Sequence, residues 1–114
     1  MKKSSVAMAI VSFAIFFPGI VAAKTTTVTA KEFKFVPDEI TVRKGEPVSI
    51  ILKDKGVLSH NLHIPALGVT PETIQSGDQE PIKFTPEKTG TFEFFCAVPG
   101  HKQAGMKGTL KVVK

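Results

Sequence analysis

Between Phe95 and Gly108 the chain reads FCAVPGHKQAGMKG, and three of these side chains are metal donors of different kinds. Cys96, His101 and Met106 stand with four residues in each gap, on a turn rich in glycine and proline. A thiolate, an imidazole and a thioether gathered in this way suit a soft or borderline metal ion. Two further imidazoles lie upstream in 58-LSHNLHIPALG-68, at His60 and His63. If that segment is extended, side chains three apart face opposite ways, so only one of the two is expected at the site. Two imidazoles with one thiolate fit copper or zinc. A thioether is a poor zinc ligand but the usual long axial partner of a His2Cys copper plane.

Cys96 is the chain's only cysteine, which excludes an internal disulfide and a copper centre that needs two thiolates. An exported protein with one free thiol must protect it or use it. A competing reading pairs Cys96 with His101 as nucleophile and base. That reading has no third orienting group and leaves Met106 without a role.

The donors need a frame to hold them. Residues 27–37, 39–45, 47–54, 82–86, 91–96 and 109–113 alternate apolar and polar side chains, the mark of half-buried strands. Turn signals separate them at Pro37-Asp38, Lys44-Gly45, Asp54-Lys55-Gly56, Gly77-Asp78 and Lys88-Thr89-Gly90. Residues 70–81 have room for one short helical turn or none. Short strands broken by turns predict an all-β, antiparallel sandwich or barrel. Strand 91–96 would deliver Cys96 at its end, with Phe92, Phe94 and Cys96 on the inward face. Pro99-Gly100 and Ala104-Gly105 would then turn the chain so that His101 and Met106 return to the same point. Phe33, Phe35, Phe84, Phe92 and Phe94 are expected in the core by alternation. Of the two upstream histidines, one of His60 and His63 is expected to be a bystander.

The N-terminus reads differently. Lys2 and Lys3 precede the apolar run 6-VAMAIVSFAIFF-17, and 21-VAA-23 ends in small residues, as in a secretory signal peptide. The run is shorter than the ~20 residues of a comfortable membrane span. Residues 1–23 are therefore expected to be a signal peptide and 24–114 a single exported domain, periplasmic or otherwise outside the cytoplasm. Removing the two lysines lowers the formal charge of +5 by two. A mildly basic chain with dispersed lysines is a poor match to nucleic acid and a better one to an acidic face on a partner protein.

The pair His60-Asn61, followed by 96-CAVPGHKQAGM-106 and then KGTLKV, resembles the cupredoxins, the small type 1 (blue) copper proteins. The loop spacing is most similar to rusticyanin and auracyanin. The runs 89-TGTFEFFC-96 and 105-GMKGTLKVV-113 are also similar to plastocyanin and pseudoazurin. The resemblance implies a Greek-key β-sandwich holding one copper ion, with His60, Cys96 and His101 in a trigonal plane and Met106 axial. It implies a monomeric, non-enzymatic electron carrier, with no membrane attachment once the signal is removed. Copper delivery or storage is the alternative. Partners would be redox proteins docking at His101, inside an apolar rim of Pro65, Ala66, Leu67, Ala97, Pro99 and Ala104, steered by Lys102 and Lys107. The resemblance also implies that Asn61 hydrogen-bonds across to the cysteine loop. Many relatives answer that asparagine with Ser or Thr after the cysteine; Ala97 stands here, so the tie must go to the backbone. The tyrosine that plastocyanin-like proteins place before the cysteine is replaced by Phe95, which makes a second, remote electron port unexpected.

Overall fold

The computed structural model describes residues 23–114, so the expected signal peptide lies outside the described residues except for Ala23. Seven strands form two sheets. They are β1 (Lys24–Lys31), β2 (Lys34–Val36), β3 (Glu39–Arg43), β4 (Val48–Asp54), β5 (Gln79–Phe84), β6 (Gly90–Phe95) and β7 (Lys107–Val113). One sheet has the order β2-β1-β4-β5 and the other β3-β7-β6. Residues 70–81 form no helix; the one helical turn among the described residues is a 3-10 turn at Pro65–Leu67.

The all-β expectation holds, but the sheets are not purely antiparallel. β1 pairs with β4 in parallel, from Lys24↔Val48 to Ala30↔Asp54, and β3 pairs in parallel with β7. The reason is topological. β3 and β4 are consecutive in sequence yet lie in different sheets, so each sheet is completed by strands distant along the chain.

The alternation does its work in the core. β4 buries Val48, Ile50, Leu52 and Asp54 on one face; β1 supplies Val28 and Ala30, β3 supplies Ile40 and Val42, and β7 supplies Leu110 and Val112. Each such aliphatic burial is worth about 1.5–3 kcal/mol relative to exposure. Phe94 is wholly buried and meets Phe35 edge to face, with ring centroids 5.4 Å apart. It lies across Gly108, its pairing partner in β7. A Cβ at position 108 would come within 2.3 Å of the Phe94 ring and 2.4 Å of the Asp38 carbonyl, so only glycine fits.

One core expectation is corrected. Residues 27–37 are two strands, joined by a tight hairpin at Glu32-Phe33, with Phe33 at φ 62°. The hairpin breaks the alternation, so Phe33 is 40% exposed while Phe35 turns inward. Phe84 and Phe92 are partly buried and pack against the core.

Candidate metal centre

The segment carrying His60 is not a strand but an irregular run laced to its neighbours by single bridges. His60 exchanges both backbone hydrogen bonds with Ile74, and His63 does the same with Phe95. The second bridge fastens this run to the last residue of β6, beside Cys96. Cys96 N–H donates to the Met106 carbonyl at 3.0 Å, and Met106 N–H donates to that of His101 at 3.1 Å. Two turns thus fold the 96–106 loop back on itself, as its glycines and prolines predict.

The result is convergence. His60 Nδ1 and His101 Nδ1 lie 3.2 Å apart, and Cys96 Sγ lies 3.5 Å from the His101 nitrogen and 4.0 Å from that of His60. His60 and Cys96 are fully buried and His101 is 6% exposed. Met106 is fully buried in the same core cluster as Cys96. His63 is turned away: its Nε2–H donates to the Pro71 carbonyl at 3.0 Å, which agrees with its expected bystander place.

Donors about 2.0–2.3 Å from one ion and spread around it in a plane stand roughly 3.5–3.8 Å from one another. The three observed separations bracket that range, so the donor set fits a metal. Its softness fits copper. Burial, and next the neighbouring His60, hold the His101 imidazole below the usual histidine range, which favours the neutral form a metal ligand needs. Cys96 Sγ accepts the Asn61 N–H at 3.4 Å.

Around the donors stands a ring of ties. Asn61 Oδ1 accepts the Ala97 N–H at 2.7 Å, the backbone route left open when Ala97 replaces a hydroxyl residue. The Asn61 amide in turn donates to Thr73 Oγ1 at 2.9 Å. Glu32 Oε1 lies 3.3 Å from His60 Nε2 and accepts the backbone N–H groups of Val57 and Leu58 at 2.7 and 2.9 Å. These contacts, the Leu58 N–H foremost, hold the Glu32 carboxyl below the ordinary carboxylate range. Phe33 sets its ring against His101, 5.2 Å between centroids and nearly perpendicular. Sequence reasoning missed Glu32, Phe33 and Thr73. For the first two the missed signal was the hairpin, since an unbroken strand gave Glu32 no special place.

Lys102, expected with Lys107 to steer a partner, has contacts of its own. It pairs with Glu93 at 2.9 Å and sits 4.0 Å above the centroid of the Phe95 ring. Lys107 is exposed.

Two sheets closed around a buried His-Cys-His cluster define a small mononuclear copper protein. The chain belongs to the cupredoxin-like domain family, whose model matches residues 5–112, and copper is its cofactor. It is similar to the plastocyanin of Dryopteris crassirhizoma, 34% identical over 94 residues that cover 70% of this chain and 88% of that protein. It is also similar to the copper-resistant cuproprotein CopI of Rubrivivax gelatinosus, 29% identical over 111 residues, 80% of this chain and 67% of that one. In structure it is similar to the dithionite-reduced auracyanin of Roseiflexus castenholzii, with TM-score 0.71 and 22% identity, covering 82% of this chain and 99% of the other. No helix of the described residues is long and apolar enough to cross a membrane.

Proposed function

We propose that the protein is an exported, monomeric blue copper carrier of single electrons, in which His60, Cys96, His101 and Met106 would hold the copper. The observation that carries this reading is the convergence of two imidazole nitrogens and one thiol sulfur inside a buried cluster. Copper supplies a one-electron couple there, and the ligand set suits both of its oxidation states, the sulfurs favouring Cu(I) and the imidazoles accepting Cu(II). The chain's part is to hold the donors still. His60 is held by the Ile74 bridge, Cys96 by the Met106 carbonyl and the Asn61–Ala97 tie, and His101 by the turn that Met106 closes. A frame tied at each donor changes little with redox state, which keeps reorganisation small.

Burial also argues for a carrier rather than an enzyme, because a catalytic metal needs an open position for substrate. A surface groove of about 1030 Å³ runs along residues 66–71 and 81–88 and includes none of the four donors. The access that exists is at His101. Among the described residues its side-chain hydrogen-bonding contacts are all made through Nδ1, and the residue keeps 6% of its surface exposed. Phe33 borders this edge, and exposed Val57 and Leu58 lie beside Glu32, adding to the apolar rim expected from Pro65, Ala66, Leu67, Ala97, Pro99 and Ala104. Such a patch suits brief docking of a redox partner. With Lys102 engaged by Glu93, steering of an acidic partner falls mainly to Lys107.

The test is the visible spectrum of the Cu(II)-loaded protein. An intense thiolate-to-copper band, bleached by ascorbate and absent from Cys96→Ser, is expected; its absence from the unaltered protein would refute the ligand set. His101→Ala should slow electron exchange with a partner, and unchanged kinetics would refute the port. The likeness to CopI favours a second reading, copper handling. Competition with a Cu(I) chelator separates the two: a carrier holds its metal, whereas a delivery protein surrenders it readily.

A further inference from the structure

We propose that Glu32 is a positioning residue of the copper centre, holding His60 in the tautomer that offers Nδ1 to the metal and favouring Cu(II) over Cu(I). This rests on the reading of His60 as a ligand. An imidazole that binds metal through one nitrogen is oriented by the hydrogen bond its other nitrogen makes. In His60 the nitrogen facing Cys96 and His101 is Nδ1, and the nitrogen facing Glu32 is Nε2. A carboxylate can only accept, so the proton sits on Nε2 and the lone pair on Nδ1.

The carboxylate is built in rather than resting there. The same Oε1 that faces His60 takes the N–H groups of Val57 and Leu58, so the loop leading to His60 is folded around it. Gly56 leaves the space: a Cβ there would lie 2.3 Å from Oε1 and 2.9 Å from His60 Nε2. Gly56 is itself fixed, its N–H on Asp54 Oδ1 and its carbonyl accepting the Ser76 hydroxyl. The Glu32-Phe33 hairpin then serves both imidazoles at once, Glu32 against His60 and Phe33 against His101. The two differ in kind, since His60 is backed by a negative charge and His101 by an aromatic edge.

A negative charge shared with a ligand raises the ligand's basicity and stabilises the more highly charged metal ion. Losing an outer partner of this kind typically costs about 10–100-fold in metal affinity. Glu32 is about a third exposed, so solvent screening places its effect at the lower end of that range.

The experiment uses the copper-loaded protein and its Glu32→Gln and Glu32→Ala variants. It reads the thiolate band, the reduction potential, and the Cu(II) and Cu(I) affinities by chelator competition. Glu32→Gln keeps the shape and the acceptor oxygen but not the charge. It should retain the band, unfold metal-free at the same temperature, and lose Cu(II) affinity about tenfold relative to Cu(I), which reads as a rise of about 59 mV. Glu32→Ala should lose more. An intact band with unchanged potential in Glu32→Gln would overturn the role of Glu32 and leave the ligand assignment standing. No thiolate band in the unaltered protein, or a band that survives unchanged in His60→Ala, would overturn the ligand assignment and this proposal with it.

Discussion

Replacing Asn61 by alanine cuts the side-chain tie between the two segments that bring the metal donors together. Two hydrogen bonds go: the 2.7 Å bond from Ala97 N–H and the 2.9 Å bond to Thr73 Oγ1. The first leaves a backbone donor beside Cys96 without its acceptor, a loss of about 1–2 kcal/mol where water can partly replace it, and the second is worth about 0.5–1 kcal/mol. The sum is about 1.5–3 kcal/mol. At about 4–8 °C per kcal/mol for a domain of this size, the metal-free protein should melt roughly 6–24 °C lower. The assay is thermal and urea unfolding followed by circular dichroism, without copper so that binding does not mask the effect. Thr73→Val isolates the weaker arm and should cost only about 0.5–1 kcal/mol. The double variant should cost no more than Asn61→Ala alone, because the Asn61–Thr73 bond is already absent. A loss below about 0.5 kcal/mol for Asn61→Ala, or strict additivity in the double variant, would refute the reasoning.

Three further outcomes are expected. Met106→Leu keeps the volume and should cost less than about 1.5 kcal/mol in metal-free stability; in the copper form it should alter the spectrum and potential, and an unaltered spectrum would remove Met106 from the ligand set. Gly108→Ala drives a methyl into the Phe94 ring and the Asp38 carbonyl, so a loss of at least about 1–3 kcal/mol is expected in urea unfolding. Burial pushes the Asp54 carboxyl above its ordinary range, and Oδ2 has no partner. A carboxyl raised in the folded state binds its proton more tightly there than in the unfolded chain. Its ionisation therefore costs stability above that range, and the cost is relieved as pH falls through it. The stability of the metal-free protein relative to Asp54→Asn should accordingly rise from pH 7 downward; a fall on acidification would contradict the assignment.

Much of the architecture was legible because a strand with one buried face writes a period of two. The segments 39–45 and 47–54 contain β3 and β4, and 91–96 and 109–113 contain most of β6 and β7. The reading of 27–37 failed for a physical reason: a two-residue hairpin interrupts the period by only two positions, and a residue of ordinary β-propensity, Phe33, occupies its positive-φ site. The parallel pairings were not readable at all, since strand partners distant in sequence are chosen by the packing of both sheets together.

The donor loop is where sequence alone reached furthest. Cys96, His101 and Met106 are ten residues apart end to end, so glycine and proline turns suffice to bring them together, whereas the choice of His60 over His63 came from the resemblance of the His60-Asn61 pair and not from alternation. Everything that adjusts those donors was decided by tertiary contact. Glu32 reaches His60 across 28 positions, unforeseen in the sequence, and the Asn61 tie to Ala97, across 36, was expected only through the family resemblance. Contacts of that span have no signature in local pattern, because they exist only once two sheets have closed and brought a hairpin, a loop and a strand end to the same place.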